Sequence, residues 1–401
     1  MNLSNVKISN AATREAPLLL AIFLDLVGFG MVIPDVQTRL ESFGARGFLI
    51  GVVLSSYFLM QILASPRWGR YSDKVGRKPV LVACGILSAL SLVAYAFANT
   101  IPLILASRVL AGLAAANTVV AQAYVADARA DDEERTAAMG RVGAAITAGL
   151  MLGPVLGGWL SSVGGNRLLG LSAAAASGAG ALWIALALPR IPPTAHSPTR
   201  GVGSLSLLRD APRLRPVLML ATLSFLALAC LEGTFGRLIH RKLGFGPEEF
   251  GLIFGYESLV GVLVQSLLLV SLTKQRHIGP RTLLGGGFLL QGVGLALTPF
   301  APNLLALFGV STLYSVGAGV ANPTLNARCS AATPEERQGE MFGLLQGARS
   351  MGFLIGPTAG GVLFDWRPEA PYLAAGIVLL LAAVAMAVSR AIAGRAGLGE
   401  G

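Results

Sequence analysis

Five charged side chains stand deep inside long apolar stretches of this 401-residue sequence. They are three carboxylic acids and two arginines, namely Asp25, Glu232, Glu257, Arg108 and Arg349. A charged side chain at bilayer depth costs at least ~2.5–3.5 kcal/mol on insertion scales, so such residues are functional candidates. Desolvation and a nearby opposite charge shift a carboxyl pKa in opposite directions, and a balance between them lets the group bind and release protons. These residue types therefore predict reversible protonation in an apolar medium.

The stretches that hold these residues have the length and composition of membrane-spanning helices. Apolar residues make up 54% of the chain and charged residues 13%, and the mean hydropathy is +0.66. A helix needs roughly 20 apolar residues to cross a hydrocarbon core. Twelve such runs lie at 17–38, 47–67, 79–98, 101–126, 138–162, 167–188, 216–239, 249–273, 282–300, 302–327, 340–364 and 371–389. The sequence predicts an all-α integral membrane protein with twelve transmembrane helices.

Lysine and arginine are distributed unevenly between the two sides of the predicted membrane. With both termini cytoplasmic, 22 basic residues fall inside, and two, Arg108 and Arg349, lie deep within runs. The seven that fall outside are Arg39, Arg46, Arg167, Arg237, Arg241, Lys242 and Arg367. The positive-inside rule predicts this orientation. The net charge of +10 then reflects topology and contact with anionic membrane lipid, so no nucleic-acid partner is expected.

Other sequence patterns argue against an enzyme or a cofactor-binding protein. The three cysteines, Cys84, Cys230 and Cys329, are scattered, which predicts neither disulfides nor a metal site. The sequence contains no G-x-x-x-x-G-K-(S/T) phosphate loop and no cluster of Cys, His and Asp, so ATP binding is not expected. The first run is too long for a cleavable signal peptide, and no small-residue cleavage site follows it.

The sequence also contains an internal repeat. "GPVLGG" at 153–158 recurs as "GPTAGG" at 356–361, an offset of 203 residues. A polar segment rich in proline, arginine and serine lies between the two copies. The repeat predicts an amino-terminal six-helix half at 1–188, a cytoplasmic linker at 189–215 and a carboxy-terminal six-helix half at 216–401.

Five motifs follow one another in the first half. They are "FLDLVGFGMVIPD" at 23–35, "GRYSDKVGRKP" at 69–79, "SRVLAG" at 107–112, "AYVADARADDEER" at 123–135 and "GLMLGPVLGGWL" at 149–160. In this order, and in these loops and spans, they resemble the motifs of the major facilitator superfamily. Within it the chain looks like the twelve-helix drug:proton antiporters of the tetracycline-efflux type, over nearly its whole length. The resemblance implies the major facilitator fold, with two six-helix halves around a central cavity that opens to alternate sides.

The second motif has residues suited to a cytoplasmic gate. The resemblance implies that Gly69, Asp73 and Arg77 act there with Asp127, which ends the fourth run. Arg77 is expected to pair with Asp73 or Asp127 when the cytoplasmic side is closed and to release them when it opens. The remaining basic residues of the motif are explained by topology alone.

Small residues recur along the fifth run at three- to five-residue intervals. They are Gly149, Gly153, Pro154, Gly157 and Gly158. Small residues at this spacing form a flat face for a close helix crossing, and proline adds a bend. The resemblance implies an antiporter motif that lies between the halves and limits proton leak. Tight packing alone is the alternative, because the second half carries a matching motif.

Asp25 and Arg108 are predicted to lie at similar depth in the first half. At 1.5 Å per residue, Asp25 is roughly 12 Å from one face and Arg108 roughly 11 Å from the other. They are expected to meet, either as a proton-responsive pair or as a static ion pair that fixes packing. Polar side chains that could line the cavity are Gln61, Asn117 and Gln122.

The second half offers a comparable set of charges. Glu257 is placed to bind a cationic substrate or a second proton, while Glu232 has either such a role or a packing role. Arg349 is expected to neutralise one of these acids. In contrast to tetracycline exporters, the runs at 79–98 and 282–300 contain no carboxylate, so tetracycline itself is not predicted as the substrate.

The sequence and the resemblance together predict a secondary active transporter. The expected activity is proton-coupled efflux of a small amphipathic compound or drug by a monomer in the bacterial cytoplasmic (inner) membrane. The alternatives are a uniporter or proton symporter for a small metabolite, and a membrane enzyme on the same scaffold. The glycine motif of the fifth run and the buried acids favour antiport over these alternatives.

Overall fold

The computed structural model describes residues 3–128, 132–190, 205–212, 214–273, 279–334 and 337–395. Regular structure in these ranges is helical throughout, as the composition predicts. The α-helices are α1 Leu3–Ser42, α2 Gly47–Val75, α3 Arg77–Phe97, α4 Ile101–Ala114, α5 Asn117–Asp127, α6 Asp132–Ala187, α7 Leu205–Asp210, α8 Leu214–Leu243, α9 Pro247–Leu263, α10 Leu269–Thr273, α11 Pro280–Leu297, α12 Leu304–Ala331, α13 Gln338–Trp366 and α14 Ala370–Arg395. A π-helical turn, Val264–Leu268, joins α9 to α10.

Ten helical segments in the described residues are long and apolar enough to cross a membrane. Nine of them each correspond to one predicted run, and the tenth, Ala137–Ala187, contains two. The eleventh predicted run lies in α13, which is 29 residues long. The helices are therefore consistent with the twelve predicted crossings, and the prediction of an all-α multi-pass membrane protein is confirmed.

Gly165 divides α6 into two antiparallel segments. Its φ of 64° and ψ of −168° belong to a region that glycine adopts without steric cost. The close contacts between α6 and α1 are, in order along α6, Gly149 with Phe23, Gly157 with Met31, Ala173 with Gly28 and Gly180 with Ala21. Along the part of α6 before Gly165, the residue numbers contacted on α1 increase, and along the part after Gly165 they decrease. The fifth and sixth predicted runs are thus separate crossings, and the chain reverses at one glycine.

The Cα positions group into two compact units. The first consists of Met1–Phe43, Ser56–Thr199 and Gly246–Leu252, and the second of Gly44–Ser55, Arg200–Phe245 and Ile253–Gly401. The predicted boundaries of the two halves stay a prediction, because most of the predicted linker, 191–204, lies outside the described residues.

Glycines allow helices to pack backbone to backbone in each unit. In the first unit, a Cβ atom at Gly157 would lie 2.0 Å from the carbonyl oxygen of Met31. In the second unit, a Cβ at Gly47 would lie 2.0 Å from the carbonyl oxygen of Gly361. A side chain at either glycine would overlap the neighbouring helix. The glycines therefore allow van der Waals contact between the two backbones, which holds helices together in lipid.

Candidate functional site

Asp25 lies among the helices of the first unit, where its carboxylate has two hydrogen-bond donors. Ser88 Oγ on α3 donates to Asp25 Oδ1 at 2.7 Å, and Asn117 Nδ2 on α5 donates to Asp25 Oδ2 at 3.0 Å. Ser177 Oγ on α6 lies 3.5 Å from Ser88 Oγ. Four helices therefore supply the site, and the two donors hold the carboxylate in one orientation.

A small cavity borders this carboxylate. Its polar lining comes from Asp25, Asn117 and Ser177, and its apolar lining comes from α1, α3 and α6. The centre of a water molecule has ≈ 10 Å³ available there, which is about the space that one water needs. Asp25 is partly buried, with hydroxyl groups and room for about one water beside it. This arrangement suits a proton-exchanging acid.

Arg108 lies in the same unit but does not form an ion pair with Asp25. Its side chain on α4 is 5% exposed, and its guanidinium carbon lies 4.9 Å from the centre of the Tyr95 ring. Its Nε and Nη2 atoms have no hydrogen-bond partner among the described residues. Tyr57 on α2 is close enough to both charges to interact with each. The expected Asp25–Arg108 contact is thus replaced by contacts with aromatic side chains.

The second unit brings Glu232 on α8 close to Glu257 on α9. Ser311 Oγ on α12 donates to Glu257 Oε1 at 2.6 Å. The two carboxyl groups are close enough for their charges to interact, and the buried Tyr314 lies within range of both. Two like charges in one buried site repel each other, so the site can accept a proton or a cationic group.

Arg349 pairs with neither of these acids in the described residues. It donates from Nη2 to Asn326 Oδ1 on α12, and its guanidinium carbon lies 5.0 Å from the centre of the Phe225 ring on α8. A neutral amide and an aromatic face thus take the place of the carboxylate that the sequence analysis predicts. Cation–π contact of this kind contributes ~0.5–2 kcal/mol.

The polar side chains predicted to line the cavity differ in their surroundings. Asn117 reaches the Asp25 carboxylate. Gln61 on α2 is half-buried and Gln122 on α5 is exposed. Neither glutamine forms a hydrogen bond with another described residue. Their role as cavity lining stays a prediction.

The motif between α2 and α3 brings Asp73, Arg77 and Asp127 together. Arg77 Nε donates to Asp127 Oδ2 at 2.8 Å, and Arg77 Nη1 pairs with Asp73 and donates to Ser72 Oγ at 2.6 Å. Gly76, with φ of 94°, provides the sharp turn between the two helices. Because Asp127 ends α5, one guanidinium joins the ends of three helices.

The predicted antiporter motif in α6 is a close-packed surface. Gly153 and Gly157 pack against the backbone of α1. A Cβ at Gly158 would lie 2.3 Å from the carbonyl oxygen of Pro247 at the start of α9. Gly69, in the motif between α2 and α3, differs from these glycines, because a Cβ there would meet nothing within 4 Å. The structure therefore gives the α6 glycines a packing reason, and their role in limiting proton leak stays a prediction.

Two of the arginines that were predicted to lie outside the membrane are buried within helices. Arg237 lies within α8 and is 1% exposed, and its Nη2 donates to Asp365 Oδ1 at 3.1 Å. Asp365 Oδ2 accepts a hydrogen bond from the backbone N–H of Gly47 at 2.7 Å. Arg39 lies near the end of α1 and is buried. α1 extends past the first apolar run to include Arg39, whereas Arg237 lies inside the seventh run. An arginine with hydrogen-bond partners can be buried near a helix end.

A further buried carboxylate, Asp35, lies ten residues after Asp25 on α1. It is 3% exposed and accepts a hydrogen bond from Tyr95 OH at 2.5 Å. Within "FLDLVGFGMVIPD", the resemblance indicates a role for Asp25 and not for Asp35. A second acid within the same apolar run was the signal that could have identified it.

These features define a multi-pass helical membrane protein with ionisable groups buried in each unit. A family model described as Major Facilitator Superfamily matches residues 18–269 and 219–396. The chain therefore belongs to the Major Facilitator Superfamily of membrane transporters, as the five motifs predict.

Named relatives and solved structures agree with this family. The chain is 27% identical over 374 residues to Multidrug resistance protein 2 of Bacillus subtilis, which covers 91% of this chain and 92% of the relative. It is 26% identical over 368 residues to the quinolone resistance protein NorA of Staphylococcus aureus, covering 89% and 92%. Its fold resembles that of a bacterial homologue of the human lysosomal transporter Spinster, with a TM-score of 0.77, 16% identity, and coverage of 94% and 96%. It also resembles the human organic anion transporter MFSD10, with a TM-score of 0.68, 22% identity, and coverage of 94% and 99%.

Proposed function

We propose that the protein is a proton-coupled antiporter that exports small amphipathic compounds from the cytoplasm. The observation that carries the proposal is the Asp25 carboxylate, held by Ser88 and Asn117 beside a cavity that fits about one water. The relatives are multidrug and quinolone resistance proteins, and their names support a substrate of this class. We place both termini on the cytoplasmic side of a bacterial inner membrane, with a monomer as the working unit.

The hydrogen bonds at Asp25 determine where a proton binds. The amide nitrogen of Asn117 can only donate, whereas the hydroxyl group of Ser88 can donate or accept. A proton that arrives from water therefore binds Asp25 Oδ1, and the Ser88 hydroxyl turns to accept it. The donor of Ser88 is then free to point toward Ser177 Oγ, 3.5 Å away. Protonation thereby reverses one hydrogen bond and leaves the Asn117 contact in place.

The second unit supplies a site for the cationic part of a substrate. Glu232 and Glu257 place two carboxyl groups close together there. Two aromatic pairs belong to the same helices: Tyr256 with Phe308, whose ring centres are 4.8 Å apart, and Phe235 with Phe254, at 6.0 Å. Aromatic faces bind flat apolar rings and attract cations. A compound with an aromatic body and a positive group matches this set of residues.

Purified protein in liposomes with an imposed pH gradient tests the proposal. Wild type is expected to move a cationic amphipathic dye against its gradient, in the direction opposite to proton flow. Asp25→Asn is expected to lower this gradient-driven transport at least tenfold while exchange of labelled for unlabelled dye continues. Glu248→Gln, at an exposed position on α9, is the matched control and is expected to behave like wild type.

The same assay separates the alternatives. Dye movement that follows only its own gradient would identify a uniporter. Dye movement in the direction of proton flow would identify a symporter. Gradient-driven efflux that is unchanged in Asp25→Asn would remove Asp25 from the coupling mechanism.

A further inference from the structure

Asp35 has a set of partners that is separate from those of Asp25. Tyr95 OH on α3 donates to Asp35 Oδ2 at 2.5 Å, and Ser161 Oγ on α6 donates to Asp35 Oδ1 at 3.3 Å. The amide nitrogen of Asn166, when its side chain is turned toward Asp35, donates to Oδ1 at 3.0 Å. Both carboxylate oxygens thus have donors, from two different helices.

Two arginines approach the ring of the same tyrosine. The guanidinium carbons of Arg39 and Arg108 lie 4.7 and 4.9 Å from the centre of the Tyr95 ring. Arg39 is fully engaged, since it donates to the Tyr95 and Ala98 carbonyl oxygens and, through Nε, to the Asn166 oxygen at 3.1 Å. Arg108 keeps Nε and Nη2 without a partner among the described residues. Asp35 is therefore the one carboxylate that these contacts connect to two buried cations.

A cavity connects the neighbours of Asp35 to water. The centres of water molecules have ≈ 330 Å³ available there, so the cavity holds several waters. Its lining includes Arg39 and Asn166, which both touch the Asp35 site, and also Asn99 and Arg167. The distribution of basic residues predicts that this end of the helices is external. The Asp25 cavity, in contrast, has room for about one water.

We propose that Asp35 is a second proton-binding site that exchanges with the external side, and that Tyr95 links it to Arg108. This inference rests on the proposed antiport. A hydronium ion in the cavity gives its proton to Asp35 Oδ1 and becomes water, and no other covalent bond changes. The Ser161 hydroxyl, which donates to Oδ1 in the charged state, turns to accept the new O–H. Tyr95 OH continues to donate to Oδ2. Neutral Asp35 then leaves Arg39 and Arg108 at one aromatic ring without a counter-charge, which favours movement of Arg108 away from Tyr95.

The charged and titratable groups around Asp35 limit what else could cause a pH effect. They are Arg39 from α1, Tyr95 from α3 and, through the tyrosine ring, Arg108 from α4. From α6 the neighbours are Ser161 and the neutral amide of Asn166. Asp35 is the one carboxyl group in this set, so it is the group whose negative charge a bound proton removes.

The decisive experiment measures the number of protons exchanged per substrate in liposomes. Asp35→Asn keeps the shape of the side chain but cannot bind a proton. We expect dye exchange at equal pH within about twofold of wild type, at least a tenfold loss of gradient-driven efflux, and a proton-to-dye ratio lower by one. A loss of exchange in proportion to efflux would indicate a packing role and overturn the proposal.

Two milder variants keep the test decisive if Asp35→Asn does not fold. Tyr95→Phe retains the ring beneath both guanidinium groups but removes the donor to Asp35, and Ser161→Ala removes the weaker donor. Both are expected to shift the external pH of half-maximal efflux without shifting the internal one. Ser162→Ala is the matched control, because Ser162 is exposed and donates to the Trp159 carbonyl.

The outcomes distinguish this inference from the proposed function. If wild type shows no proton-driven efflux, the antiport proposal fails. If wild type shows antiport but Tyr95→Phe and Ser161→Ala leave the external pH profile unchanged, only the role of Asp35 is overturned. A shift in Ser162→Ala of the same size would also overturn it, because the effect would then not depend on contact with Asp35.

Discussion

A single hydrogen bond indicates what a substitution at Glu257 would change. Ser311 Oγ donates to Glu257 Oε1 at 2.6 Å, and glutamine can accept the same bond through its amide oxygen. Glu257→Gln therefore removes charge with little change in packing. We expect the apparent affinity for a cationic substrate to fall about tenfold, which corresponds to about 1.4 kcal/mol, while a neutral substrate is transported as by wild type.

Transport kinetics with a cationic and a neutral dye of similar size measure this difference. The matched control is Glu248→Gln, the same substitution at an exposed position in the first turn of the same helix. An equal loss for both dyes would show that Glu257 supports packing or coupling and does not recognise substrate charge.

Prediction at the residue scale failed for the direction in which buried side chains point. Hydropathy locates Asp25 and Arg108 along their helices, but it does not give the rotation of each helix about its axis. Packing against neighbouring helices sets that rotation, and here it directs Arg108 toward Tyr95. The pairing of Arg77 with Asp127 was predictable because each residue lies at a helix end and belongs to a recognisable motif.

Among the elements, α6 illustrates how glycine determines where helices cross. A Cβ at Gly157 would lie 2.0 Å from the Met31 carbonyl oxygen, whereas a Cβ at Gly143 on the same helix meets nothing within 4 Å. Gly157→Ala is expected to destabilise the protein by about 1–3 kcal/mol through overpacking. Gly143→Ala is expected to be neutral or slightly stabilising, because alanine favours helix. Thermal unfolding in detergent compares the two, and equal unfolding temperatures would contradict the close crossing.

The ion pairs of Arg77 are expected to differ in strength. The side chain of Asp127 is 14% exposed and that of Asp73 is 48% exposed. Exposed pairs contribute ~0–1 kcal/mol, and shielding from water raises the cost of removing one partner. Asp127→Asn should therefore lower the unfolding temperature more than Asp73→Asn. A larger effect of Asp73→Asn would contradict this order, and a double-mutant cycle with Arg77→Ala would assign the coupling to each pair.

The succession of elements was largely predictable, because each crossing needs a long apolar run and the runs are separated by charge or turn residues. The boundary within α6 was predictable too, since "GG" at 164–165 interrupts the apolar pattern. The burial of Arg237 within α8 was not, because an arginine next to the membrane surface usually indicates a loop. Its contacts with the Asp365 carboxylate and the Phe364 ring explain its burial.

At the scale of the whole molecule, the three native cysteines make topology measurable. Cys84, Cys230 and Cys329 are all buried, so a membrane-impermeant thiol reagent should label them poorly. Arg70→Cys and Asn99→Cys each add a thiol at an exposed position. In intact cells we expect labelling of the Asn99 variant and protection of the Arg70 variant.

Permeabilised cells or inverted vesicles provide the control, and there the Arg70 variant should become reactive. Labelling of the Arg70 variant from outside would reverse the proposed orientation, and the external assignment of the cavity near Asp35 would reverse with it. The helix assignments would be unaffected, because they do not depend on which side of the membrane is cytoplasmic.

The one-residue reversal at Gly165 also limits how the protein can be engineered. Gly164 and Asn166, on either side of it, line the cavity next to Arg39. An epitope tag or a fused fiducial domain inserted at this connection would displace both residues and block the entrance. Such markers therefore belong at the chain termini, and an antibody fragment that recognised this connection would cover the cavity and act as an inhibitor.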